Sequence, residues 1–131
     1  MDLRLEVVQV PVADVDRAKA FYADNVGFHV DHDAQVSDEV RVVQLTPPGS
    51  ACSIVIGTGL TGMEPGSVEG LQLTVTDMDA ARGELVERGL DVSEVKVLGR
   101  PGRPGFKHAW FHDPDGNGWT LQELQPRPAV T

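Results

Sequence analysis

Cysteine is almost absent from this chain of 131 residues, where Cys52 stands alone. One cysteine excludes an internal disulfide framework and suits the cytoplasm, the expected location. Positive charge is also scarce: 11 Lys and Arg face 20 Asp and Glu, for a formal net charge of −9. Such a surface repels a phosphate backbone, so no nucleic acid partner is expected. Arg100, Arg103 and Lys107 form a local basic cluster, which reads as a solvated loop. No stretch approaches the ~20 apolar residues of a membrane helix, so no membrane partner is expected either. The opening MDLRLEVVQV has no basic region followed by an apolar run, so no secretory signal is read there. GTGLTG at 57–62 is not followed by a helical pattern and reads as a linker rather than a phosphate-binding loop. No cofactor is expected.

What is present is a repeat. LEVVQVPVADVDRA at 5–18 aligns with VEGLQLTVTDMDAA at 68–81, an offset of 63. Glu6/Glu69, Gln9/Gln72, Val12/Val75, Asp14/Asp77, Asp16/Asp79 and Ala18/Ala81 are identical. The chain is about twice the offset, so two similar halves are expected, about 1–60 and 66–126, within one domain spanning 1–131. The Gly-, Pro- and Ser-rich stretch 58–67 joins them.

Each half follows one plan. Alternating apolar residues predict a strand over 5–12. Asp14 then caps a helix whose Val15, Ala18, Phe21, Tyr22 and Val26 share a face, and Gly27 ends it. Strands follow at about 28–33, 39–46 and 51–56. The second half repeats this with a strand at 70–75, the cap Asp77, a helix to about 88, Gly89, and strands near 92–98, 106–112 and 118–124. The order βαβββ, twice, predicts an α+β fold. The sequence DPDGNG at 113–118 is a strong turn signal between the last two strands.

The segments VQVPVADVDRAKAFYADNVGF at 8–28 and FHDPDGNGWTLQEL at 111–124 resemble the vicinal oxygen chelate superfamily. That superfamily includes glyoxalase I, extradiol dioxygenases, and fosfomycin- and bleomycin-resistance proteins. The resemblance implies two βαβββ modules whose curved mixed sheets enclose a cavity, and a homodimer. It also implies where metal ligands would stand in metal-dependent members: seven residues before the capping Asp, which is Val7; its counterpart Gly70; seven residues after the first Asp of the turn, which is Thr120; and a position on the fourth strand. Residues 50–59 hold no His, Asp or Glu. Val and Gly cannot coordinate, and Thr is a poor ligand for a divalent ion. No metal site is therefore expected. On a strand, His108 and His112 stand ~13 Å apart, too far to share one ion. Glu123 falls on the face opposite Thr120. His29 and His32 have opposite parity and read as surface residues.

Strand parity assigns the rest. Gln9 and Pro11 share the face of Val7; Gln72 and Thr74 share that of Gly70. Val8, Val10, Val12, Leu71, Leu73 and Val75 point toward the helices. The resemblance to fosfomycin-resistance proteins directs His108 and Trp110 toward a ligand, with His112 nearer the rim and Thr120 and Gln122 facing inward from the last strand. Gln9 and Gln72 are expected opposite them, although the two amides could also bond each other. Trp110 and His108 read equally as core and structural residues. Three functions follow. The first is a metal-free protein that binds a small, partly planar organic ligand through Trp110, Gln9 and Gln72. The second is a metal-independent isomerase, lyase or hydrolase with His108 as general acid/base. The third is a metal enzyme with atypical ligands. Cys52 has no recognisable catalytic partner and reads as packing.

Overall fold

Asp14 and Asp77 start two helices in the same way. In the computed structural model, which describes residues 1–99, 101–102 and 105–124, each carboxylate accepts the backbone N–H three residues on, from Arg17 and Ala80, at 3.1 Å in both cases. The 63-residue offset is thus kept at the level of single hydrogen bonds. Helix α1 (Val15–Ala20) widens into a π-helical turn over Phe21–Val26, and α2 spans Met78–Glu87. Gly27 closes the first helix with a φ of 91°, a left-handed conformation that glycine adopts without a steric penalty.

The strands are β1 (Val7–Gln9), β2 (His29–Gln35), β3 (Arg41–Thr46), β4 (Ser53–Thr58), β5 (Leu71–Val75), β6 (Lys96–Leu98), β7 (Phe106–His112) and β8 (Gly118–Glu123). They form two four-stranded mixed sheets, in the orders β1-β4-β3-β2 and β5-β8-β7-β6. β1 runs parallel to β4 and β5 to β8, and the other pairs are antiparallel. Each half builds its own curved sheet from one βαβββ run. This is the expected α+β architecture.

The two sheets share one core. Val43, Leu45, Ile54 and Ile56 of the first sheet and Ala109, Phe111, Trp119 and Leu121 of the second are buried in a single cluster with Val15, Ala18, Tyr22 and Met78 from the helices. Aromatic rings interleave the halves. Phe28 meets Trp119 edge-on at 5.7 Å, and Tyr22 packs against the same ring at 5.7 Å. Parity holds as expected: Val10 is buried, and Val12, Leu71, Leu73 and Val75 pack against the core.

The turn at 113–118 also ties the halves together. Asp113 Oδ1 accepts the backbone N–H groups of Asp115, Gly116 and Asn117 at 2.9–3.0 Å. Its Oδ2 accepts the Tyr22 hydroxyl at 2.7 Å and the Asn117 side-chain amide at 2.8 Å. Trp119 Nε1 donates to the Tyr22 oxygen at 2.9 Å. Burial, and then the Asp113 charge, push the Tyr22 phenol far above its ordinary range, so it stays a donor. Gly66 of the linker lies so close to the Asp115 carbonyl that a Cβ there would collide with it.

Four local expectations change. The strand expected over 5–12 is shortened to β1 (Val7–Gln9), and Leu3 and Leu5 ahead of it are largely exposed. The strand expected over 92–98 is shortened to β6, because Val92 turns into the core and the Ser93 hydroxyl takes the Trp110 N–H at 2.9 Å. A side chain there replaces a ladder bond. The register of β2 shifts between Val30 and His32, so that His29 faces Thr46 and His32 faces Gln44. A β-bulge therefore places both histidines on one face despite their spacing, although both remain exposed surface residues. Cys52 lies just ahead of β4, half-buried, and not within a buried strand. Arg100 and Arg103 lie outside the described residues, while Lys107 pairs with Asp79 at 3.5 Å.

Candidate functional site

The register of the second sheet sets its open face. Gln72 pairs with Thr120 and Thr120 with Trp110, which forms one row across β5, β8 and β7. Thr74, Gln122 and His108 form the next row, extended by Lys96 of β6. Gly118 and His112 form a third. Their sequence neighbours Ala109, Phe111, Trp119 and Leu121 fill the core, so alternation directs these rows away from it. His108, Trp110, Thr120 and Gln122 are half-buried, and Gln72 and His112 are exposed.

A hollow of about 220 Å³ lies beside Trp110, lined also by Glu69, Gly70, His112, Gly118, Trp119 and Thr120. It exists because two of those positions are glycines with no side chain to fill it. Glu69 folds over Gly118, where a Cβ would collide with its carboxylate. Sequence reasoning missed this residue, although Glu69 is one of the six identities of the repeat. The rings of His108 and Trp110 lie nearly parallel, 15° apart with centroids at 6.1 Å. They offer adjoining flat surfaces. His108 Nδ1 lies 2.9 Å from the Phe106 carbonyl oxygen. A carbonyl only accepts, so this nitrogen carries the proton and Nε2 of the neutral ring is left as an acceptor.

The structure thus brings together His108, Trp110, His112, Gln72, Thr120 and Gln122. It does not bring Gln9 to them. Gln9 is exposed on the first sheet, in register with Val55. Gln72 donates to Gln122 within its own sheet, and the two glutamines of the repeat are not mutual partners there. Glu123 is engaged elsewhere, accepting the Met78 N–H at 2.8 Å at the start of α2. Among the described residues, no three His, Cys, Asp or Glu side chains come together in a way that could hold a metal ion.

Residues 4–121 match the model of the glyoxalase/bleomycin resistance protein/dioxygenase superfamily. The chain belongs to that superfamily. Among solved structures, it is similar to TnmS3, an antibiotic binding protein from Streptomyces sp. CB03234, at 35% identity and a TM-score of 0.78, covering 95% of this chain and 98% of that one. A glyoxalase/bleomycin resistance protein from the same Streptomyces is 36% identical, with a TM-score of 0.73 and coverage of 91% and 99%. A superfamily member from Sphaerobacter thermophilus DSM 20745 is 30% identical, with a TM-score of 0.78 and coverage of 94% and 98%. No curated protein sequence matches the chain. Among the described residues, no helix is long and apolar enough to cross a membrane.

Proposed function

We propose that this superfamily member is a cytoplasmic, metal-free binding protein for a small, partly planar organic molecule of the kind that includes antibiotics. The observation that carries the reading is the near-parallel pair His108 and Trp110 beside the glycine-lined hollow. A flat apolar surface rimmed by amides, a hydroxyl and an imidazole acceptor suits a ligand with an aromatic body and a few polar substituents. Gln72, Thr120 and Gln122 supply the hydrogen bonds and His112 the rim. The name of TnmS3 points the same way. No donor side chain stands at Val7 or Gly70, which removes the ligands that the resemblance places there.

The same reading makes the protein a homodimer. Among the described residues, the hollow beside Trp110 is lined by the second half alone. The outer strands β1, β2, β5 and β6 each pair on one side only, and Met1, Leu3, Leu5 and Val7 form a run of exposed aliphatics beside β1. A second copy covers such edges and supplies the missing wall, on which Gln9 then lies.

The test is titration with a panel of planar antibiotics. Micromolar or tighter binding of one of them, weakened about five- to a hundredfold in Trp110→Ala (roughly 1–3 kcal/mol) with the fold intact, supports the reading. Affinity unchanged in that variant counts against it. The second reading, an enzyme with His108 as general base, rests on Nε2, the ring nitrogen that does not bond the Phe106 carbonyl.

A further inference from the structure

Glu69 brings a carboxylate to the hollow beside Trp110. Its neighbour Val68 is held at both backbone groups: the N–H donates to Asn117 Oδ1 at 3.1 Å, and the carbonyl accepts the Gly118 N–H at 2.8 Å. The carboxylate then lies over Gly118, where a Cβ would collide with Oε2. Trp119 turns into the core, so the vacant side of Gly118 belongs to the open face. Among the described residues, the Glu69 carboxylate makes no hydrogen bond and no ion pair.

The first module has no such hollow at the matching place. Sheet pairing matches Gly118 with Ser53, Gly70 with Val7, His112 with Thr46 and Trp110 with Gln44. Both glycine positions carry side chains there, and the Ser53 and Thr46 hydroxyls bond each other at 2.6 Å. The hollow is therefore built once per chain.

Its chemistry favours a cation. No Lys or Arg lines it, and Lys96 stands in the row beyond Trp110, next to His108. Trp110 adds an indole face, the aromatic surface that attracts cations best. The formal net charge of −9 draws cations to the chain as a whole. Glu69 and His112 supply one carboxylate and one imidazole, and among the described residues no third His, Cys, Asp or Glu joins them, too few ligands for a divalent metal. At about 220 Å³, the hollow is smaller than cavities that enclose a whole drug-sized molecule. It takes one substituent while the planar body lies on His108 and Trp110.

We propose that the ligand of this site carries a protonated amine, held between the Glu69 carboxylate and the Trp110 face. The inference rests on the open-face reading above and adds the charge class of the ligand: a planar aromatic body with a short cationic arm.

The experiment is a fluorescence titration of the full chain with 9-(aminomethyl)anthracene and with 9-anthracenemethanol, which share a ring system and differ in a charged or a neutral arm. The amine should bind about five- to thirtyfold more tightly and saturate at one per chain. Glu69→Gln should remove the preference with the fold intact, since Glu69 is exposed. Glu87→Gln removes the same charge from α2, on the helix side of the sheet, and should leave the preference in place. That separates a local contact from the general attraction of an acidic protein. Equal affinity for the two probes, a preference that survives Glu69→Gln, or one that falls as far in Glu87→Gln would each overturn the inference. If both probes then still lose affinity in Trp110→Ala, the open-face reading stands without its cation. If neither probe binds, or Trp110→Ala weakens neither, the open-face reading falls as well.

Discussion

Tyr22, on the first helix, donates its hydroxyl to Asp113, in the last hairpin, at 2.7 Å. This bond runs between residues 91 positions apart and joins one module to the other through a buried carboxylate. Asn117 adds a second link of the same kind by donating to the Pro11 carbonyl at 2.8 Å. The modules are therefore locked by buried polar groups as well as by apolar area.

Tyr22→Phe should destabilise the protein by about 1–3 kcal/mol, since it removes a donor from buried Asp113 and an acceptor from Trp119 Nε1. Chemical denaturation measures the loss. A midpoint equal to that of the parent chain would show that the link between modules carries no energy.

Asp33 of β2 accepts from Arg41 of β3, at 2.9–3.0 Å, and from Lys19 of α1, at 2.8 Å. The Arg41 guanidinium first, and then the Lys19 ammonium, hold the Asp33 carboxyl far below the usual carboxylate range. A carboxyl whose value is depressed by folding stabilises the fold fully above its unfolded value of ~4, and that contribution is lost as pH falls further. The groups are partly exposed, so Asp33→Asn should cost up to about 1 kcal/mol at pH 7. Urea denaturation at pH 7 and pH 3 should show the gap between parent and variant shrinking with acidification. A gap that widens at pH 3 would contradict the assignment.

His108→Gln keeps much of the shape but cannot cycle a proton. For a binding protein it should weaken the ligand modestly, about three- to tenfold, through loss of the Nε2 acceptor. No turnover should be seen in either form. Ligand conversion by the parent chain, lost in the variant, would favour the enzyme reading instead.

Leu3→Ser combined with Leu5→Ser should weaken self-association while leaving the monomer fold intact, because both side chains are more than 70% exposed. Sedimentation over a concentration series should show the monomer appearing at higher concentration than in the parent. An unchanged dimer would remove this segment from the interface, and a parent that is monomeric throughout would remove the dimer.

The repeat, its two aspartate caps and the period-two alternation of β5, β7 and β8 determined the architecture and the shared face of His108, Trp110, Thr120 and Gln122. Those features are local: a cap acts over three residues, and strand alternation needs only the strand itself. The sequence could not show that Gln72 would bond Gln122 and not Gln9, since that depends on which strands become neighbours. Nor could it show that the Asp of a turn signal would be buried against Tyr22, or that a bulge would bring His29 and His32 to one face. Tertiary structure decided those points. Burial makes an unpaired polar group costly, so each buried donor and acceptor takes the partner that packing brings within reach, however distant in the chain.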